Sequence, residues 1–220
     1  MLAAATNVTT TAVNFETPRV LSAEDQARAD FYALLASLFY RAPDERLLQS
    51  IVIASEPVDE EKSDASENLV KAWRALAEAS NVVSHDAVAD EYQAVFIGVG
   101  RPPVMVYGSF YMAGFMMEKP LAELRTDLAK LGFTRDASVH ESEDHIAALC
   151  DVMRALILGD LADSPASIAA QRKFFMQHLK PWVGKCCAAV HDFERSNYYR
   201  HVAELAAAFF EIEIAAFEID

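Results

Sequence analysis

Residues 139–149 read VHESEDHIAAL, and they lead into an apolar pattern with helical spacing that stops at Gly159. This spacing predicts a helix from about Glu143 to Leu158, with the acidic and histidine-containing part at its first turn. Two histidines and three carboxylates lie within the six residues from His140 to His145. Whether they form a metal site, an acid–base pair or only the start of a helix decides whether the chain is an enzyme.

Helical spacing of apolar residues extends over most of the chain on both sides of this stretch. Ser22 and Asp44 are suited to cap helix starts, and Pro120 suits the first turn of another helix. Further helices are expected at about 167–179, 181–195 and 198–216. No segment alternates as a strand does, and only 7 Gly and 8 Pro occur in 220 residues. The sequence therefore predicts an all-α protein, either a single helical bundle domain or two closely packed helical subdomains.

Two parts of the chain depart from this pattern. Residues 1–21 have no helical periodicity, which predicts a flexible N-terminal extension before an all-helical domain over 22–217. Residues 97–109, IGVGRPPVMVYGS, hold three of the seven glycines and two adjacent prolines. Because this apolar segment cannot continue a helix, we expect a hinge or groove region at about 97–145.

The composition of the chain disfavours several classes of partner. A formal charge of −14 and a pI near 4.8 disfavour binding to nucleic acid and to anionic membrane surfaces. No window reaches the roughly 18 uninterrupted apolar residues of a membrane span, so no stable membrane insertion is expected. The first residues lack the basic and apolar regions of a secretory signal, and the three cysteines form no paired framework. These features predict a cytoplasmic protein.

The spacing of the two histidines argues against a metal site. A helical zinc motif needs histidines four apart, whereas His140 and His145 are five apart and would lie about 140° apart around a helix. No nucleophile elbow or phosphate-binding loop occurs in the sequence. Capping of a helix start is the plain interpretation of Glu141, Glu143 and Asp144. We expect no metal and no cofactor, with a small nucleotide- or metal-dependent hydrolase using Asp144 and His145 as a remaining alternative.

Several segments, taken in order, resemble the TorD/DmsD/NarJ-like family of redox-enzyme maturation chaperones. The segment EDHIAAL (143–149) resembles the acidic, Asp-His signature of that family, which usually has Pro where this chain has Ser142. The other matching segments are FYRAP (39–43), EYQAVFIGVGRPPVMVYGSFY (91–111), HLKPW (178–182) and NYYRHVAEL (197–205). The resemblance covers about residues 31–217, and five such segments in order are far more specific than any one alone.

This resemblance implies a chaperone rather than an enzyme. Members of the family bind the twin-arginine signal peptide, the apo catalytic subunit, or both, of a molybdenum or tungsten oxidoreductase. They hold that client in the cytoplasm until the molybdopterin cofactor is inserted and export can proceed. The alternative within the family is a NarJ-like assembly factor that binds only the enzyme body. The resemblance is compatible with a monomer or a domain-exchanged dimer.

A twin-arginine leader carries two guanidinium groups followed by an apolar segment, so its binding site requires carboxylates beside an aromatic-lined groove. Asp144 is the candidate ion-pair partner, and His145 is placed to orient it or to donate to the peptide backbone. Ordinary core packing is an equally good interpretation of Tyr92. The full set of candidate peptide-binding residues is Asp144, His145, Glu141, Tyr107, Ser109, Tyr92, Tyr40 and Pro103.

Overall fold

A computed structural model describes residues 21–54, 64–116, 118–134, 141–159 and 167–219 of the chain. These residues form ten α-helices, with a short π-helix at Gln93–Ile97. The helices are α1 Ala23–Tyr40, α2 Glu45–Ile53, α3 Asp64–Val82, α4 His85–Tyr92, α5 Gly108–Ala113, α6 Lys119–Lys130, α7 Ile146–Leu158, α8 Ile168–His178, α9 Val183–Asp192 and α10 Tyr198–Glu218. No strand occurs in the described ranges, and the all-α prediction is confirmed.

The helix starts follow from polar residues that the sequence supplies at the right positions. The Ser22 hydroxyl accepts the N–H of Asp25 at 3.0 Å, and the Asp44 carboxylate accepts the N–H of Leu47 at 2.8 Å. Each bond satisfies one of the backbone donors that a helix start leaves unpaired. Pro120 is the second residue of α6, where the chain needs no N–H donor.

One contiguous apolar cluster joins the helices of the described chain. The helix α1 packs most extensively against α7, whereas α10 packs against α3 and α9. The largest fully buried side chains are Trp182, Tyr32, Tyr199, Phe39, Phe175 and Phe210. None of the helices within the described ranges is long and apolar enough to cross a membrane.

Two carboxylates, one of them buried, link parts of the chain that are distant in sequence. Glu91 accepts the N–H groups of Asn197, Tyr198 and Tyr199 at 2.8, 3.1 and 2.8 Å, and so caps α10 with a side chain from α4. Glu213 of α10 accepts two bonds from the Arg28 guanidinium, at 2.7 and 2.9 Å. These contacts fix α10 against α4 and α1.

The structure corrects the predicted start of the central helix. The helix expected from about Glu143 begins at Ile146, because His145 adopts an extended conformation and is the N-cap residue. Asp144 therefore precedes the helix instead of occupying its first turn. The helix expected over 181–195 is also shorter, Val183–Asp192. The remaining predicted boundaries agree within about two residues.

The apolar segment after the π-helix is non-helical as predicted. Gly98 has φ +63°, and a Cβ at this position would lie 2.8 Å from Cδ of Pro103, so only glycine fits the turn. Val104, Met105 and Val106 are then buried, which brings the chain back to the core before α5. Residues 1–20 of the extension predicted over 1–21 lie outside the described residues, and the hinge or groove region at about 97–145 stays a prediction.

Candidate functional site

The segment before α5 and the segment before α7 pair through their backbones. The N–H of Gly108 donates to the carbonyl of Asp144, and the N–H of Ile146 donates to the carbonyl of Val106, both at 2.9 Å. These bonds form an isolated antiparallel bridge between Tyr107 and His145. Two sequence motifs that resemble the chaperone family are therefore parts of one structural unit.

Asp144 lies beneath this unit instead of on the protein surface. It is 3% exposed, and its Oδ2 atom accepts the backbone N–H of Ser109 at 2.8 Å and the Ser109 hydroxyl at 2.5 Å. Ser109 is itself fully buried. The Oδ1 atom of Asp144 has no hydrogen-bond partner among the described residues. Asp144 thus joins the start of α5 to the loop before α7.

Gly108 and Tyr111 pack this unit against Trp182. A Cβ at residue 108 would lie 3.0 Å from Nε1 of Trp182, so a larger side chain would push the indole away. The ring of Tyr111 stacks on Trp182 with centroids 5.7 Å apart, and its hydroxyl donates to the Met105 carbonyl at 2.8 Å. The segment YGSFY (107–111) therefore packs against the segment HLKPW (178–182).

His145 is a neutral, buried cap. Its Nδ1 atom accepts the N–H of Ala147 at 3.1 Å, which assigns the ring proton of the neutral imidazole to Nε2. Burial lowers the pKa of His145 to about 4, against the opposing effect of the nearby carboxylates Glu141 and Asp144. The ring contacts Tyr107 edge to face, with centroids 5.1 Å apart. The imidazole therefore starts α7 without a charge at neutral pH.

A groove of about 470 Å³ lies beside this unit, between the end of α1, α6 and the first turns of α7. Its apolar lining comes from Leu128, Phe133, Val152 and the ring of Tyr40, which is 53% exposed. Three carboxylates line it, those of Glu141, Glu143 and Asp151, together with Arg125, Thr134, Ser142, His145, Ala147 and Ala148. Arg125 is the only Lys or Arg among these described lining residues, so the groove is acidic with an apolar wall.

Two polar contacts set the charge distribution in this acidic groove. Arg125 donates to both oxygens of Glu143, at 3.1 and 2.9 Å, and neutralises that carboxylate. The Tyr107 hydroxyl donates to Oε2 of the exposed Glu141, and burial together with this bond raises the pKa of Tyr107. Burial also raises the pKa of Asp151, against the opposing effect of the nearby Arg154. Glu141 is thus held in place by a protonated phenol.

Of the predicted site residues, the structure brings Tyr40, Glu141 and His145 together in the groove. Tyr107 reaches it through Glu141, whereas Asp144 and Ser109 lie buried behind it. The hydroxyl of Tyr92 donates to the Tyr40 carbonyl at 2.7 Å and its ring packs on Phe96, so Tyr92 supports the end of α1. Pro103 lines a different cavity, with Arg101 and Tyr111.

Sequence reasoning missed Arg125 and Asp151 as groove residues. Ala147, Ala148, Asp151 and Val152 share one face of α7, so helical spacing along α7 could have placed Asp151 beside Ala147 and Ala148. The position of Arg125 at the groove depends on how α6 packs against the rest of the protein, and no local sequence pattern encodes that packing. No group of three or more potential metal ligands occurs among the described residues, which do not include His140.

Comparisons with known proteins point to the same group as the sequence motifs. The family model described as nitrate reductase delta subunit matches residues 62–188, more than half of the chain. The chain is 23% identical over 209 residues to the chaperone protein TorD of Vibrio parahaemolyticus, covering 89% of this chain and 96% of that protein. For the chaperone protein TorD of Vibrio cholerae the identity is 25% over 198 residues, covering 85% and 90%. Chaperones have a non-enzymatic role, in line with the expectation from sequence.

A solved structure supports the fold independently. A crystal structure of an Archaeoglobus fulgidus protein assigned to redox enzyme maturation aligns with a TM-score of 0.53. The alignment covers 90% of this chain and 99% of that chain, with 16% sequence identity. At this identity the likeness establishes a shared helical fold.

Proposed function

This chain belongs to the nitrate reductase delta subunit family, and we propose that it is a chaperone for the maturation of a redox enzyme. In this proposal the acidic groove binds the twin-arginine leader of a molybdenum or tungsten oxidoreductase in the cytoplasm. Occupation of the leader delays export until the molybdopterin cofactor has been inserted into the client. The cofactor belongs to the client, and the chaperone contributes binding alone.

The charge of the groove supports an arginine-bearing ligand. Glu141 is exposed at the groove and oriented by Tyr107, and Asp151 lies on the adjacent face of α7. Guanidinium pairs with carboxylates through two parallel hydrogen bonds and also stacks on aromatic faces. The exposed ring of Tyr40 supplies such a face at the groove. The observation that carries the proposal is this oriented Glu141 carboxylate beside an aromatic and apolar wall.

The apolar lining supports the second feature of such a leader. Leu128, Phe133 and Val152 line the same groove as the carboxylates. A peptide that places its arginines at Glu141 can therefore lay the following apolar residues against this wall, as in other recognition of peptides by grooves. Asp144 contributes indirectly, because its bonds to Ser109 hold the loop that carries Glu141.

A titration of the purified protein tests the proposal. A synthetic peptide with an Arg-Arg pair followed by an apolar segment is compared with the same peptide carrying Lys-Lys. We expect saturable binding of the Arg-Arg peptide and binding of the Lys-Lys peptide that is at least several-fold weaker, since an ammonium group cannot form the two-pronged contact. Equal affinity for the two peptides, or no binding of either, would contradict the proposal.

A second candidate function is binding of the enzyme body alone. Exposed apolar side chains favour it: Val99 and Phe115 are largely solvent-exposed, and Ile97 is also exposed. Ile97 and Val99 are two residues apart in the chain, and neighbouring exposed apolar side chains are typical of a surface that contacts another protein. A client lacking its leader separates the two functions. It would still bind if this surface contacts the enzyme body, whereas its binding would be lost if the groove alone mediates binding.

A further inference from the structure

Ser142 stands out among the residues that line the groove. It is 8% exposed, and its Oγ atom has no hydrogen-bond partner among the described residues. Its backbone carbonyl accepts the N–H of His145 at 3.0 Å, which fixes the position of the residue in the loop. Buried hydroxyl groups are nearly always hydrogen-bonded, so an unpaired one beside a groove requires an explanation.

We infer that Ser142 is a ligand-binding residue of the groove, whose hydroxyl accepts a hydrogen bond from an arginine guanidinium of the bound peptide. This inference rests on the proposed function and assigns one more contact to it. A serine side chain has a single torsion with three staggered positions, so rotation about it can turn the hydroxyl toward a ligand. The free energy that the unpaired hydroxyl costs in the free protein is then recovered on binding.

The chemistry of the neighbouring residues identifies guanidinium as the donor. Ser142 lies between Glu141 and Glu143, so carboxylates flank it on both sides. Glu143 already binds the planar guanidinium of Arg125 through both oxygens, at 3.1 and 2.9 Å. A guanidinium carries five N–H donors, so one that pairs with Glu141 retains donors for the adjacent hydroxyl. A backbone carbonyl, by contrast, would gain nothing from the two flanking carboxylates.

The experiment compares Ser142→Ala with Ser196→Ala. Ser196 is a matched control, because its hydroxyl is also buried and without a partner among the described residues, and it does not line the groove. We expect Ser142→Ala to weaken binding of the Arg-Arg peptide about fivefold or more without lowering Tm. Ser196→Ala should leave both the affinity and Tm close to those of the wild type.

Three results would overturn the inference. If Ser142→Ala binds the Arg-Arg peptide within twofold of a wild type that does bind, Ser142 makes no contact and the proposed function stands. A clear drop in Tm for Ser142→Ala would show that the hydroxyl is already paired in the free protein. If the wild type fails to bind the peptide, both the inference and the proposed function are wrong.

Discussion

Ser109 donates both its backbone N–H and its hydroxyl to Oδ2 of Asp144, a residue 35 positions later in the chain. This pair joins the start of α5 to the segment before α7 and places a carboxylate of the acidic motif inside the protein. Because a buried carboxylate needs strong donors, the two residues depend on each other. The carboxylates that line the groove are those of Glu141, Glu143 and Asp151.

The first prediction concerns the stability of this pair. Ser109→Ala removes a hydroxyl bonded to a buried carboxylate, and we expect the free energy of unfolding to fall by about 1.5–3 kcal/mol. Denaturant unfolding measures this change. Ser37→Ala is the control, since Ser37 is exposed and its hydroxyl bonds only to the Ala33 carbonyl within α1. A loss below about 0.5 kcal/mol for Ser109→Ala, typical of a surface change, would show that the pair contributes little.

The second prediction concerns the pH dependence of stability. The pKa of His145 is about 4 in the folded protein, below the value of about 6.5 that an unfolded chain has. The unfolded state therefore takes up the proton first as the pH falls. The stabilisation by neutral His145 is complete above about pH 6.5 and is lost progressively as the pH falls toward 4.

The variant His145→Asn tests this dependence, because Asn can cap a helix and does not titrate. Between pH 7 and pH 5 we expect the wild type to lose about 1–2 kcal/mol more free energy of unfolding than the variant. Burial also lowers the pKa of His178, but both proteins contain that residue and its effect cancels in the comparison. Parallel curves for the two proteins would contradict a neutral, buried His145.

The third prediction concerns Arg125, whose guanidinium binds both carboxylate oxygens of Glu143 in the groove. Arg125→Ala leaves the groove more negative, so we expect the Arg-Arg peptide to bind about two- to fivefold more tightly, with a steeper dependence on salt. Lys119→Ala is the control: it lies on the same helix, is highly exposed, changes the net charge equally and does not line the groove. Equal tightening by both variants would mean that net charge, instead of Arg125 itself, sets the affinity.

The helices and three residues that line the groove could be predicted from the sequence. Helical spacing and the caps Ser22 and Asp44 located most elements, because these signals are local. Tyr40, Glu141 and His145 were predicted together and do line one groove.

The burial of Asp144 behind the groove could not be predicted from the sequence. Its orientation depends on donors from Ser109, and a local pattern cannot distinguish that contact from a helix cap or a ligand contact. The same limit applies to Arg125, which enters the groove from another helix. Pro103 is among the predicted peptide-binding residues, whereas packing places it beside a separate cavity.

The most direct measurement is the affinity of the Arg-Arg peptide for Glu141→Gln and for the wild type. Glutamine keeps the size of the side chain and an acceptor for Tyr107, and it removes only the charge. Glu118→Gln is the control, since Glu118 is an exposed glutamate that does not line the groove. If the groove binds a twin-arginine leader, Glu141→Gln should weaken binding about fivefold or more, whereas Glu118→Gln should stay within about twofold of the wild type. An unchanged affinity for Glu141→Gln, in a protein that remains folded, would contradict the assignment of this groove as the binding site.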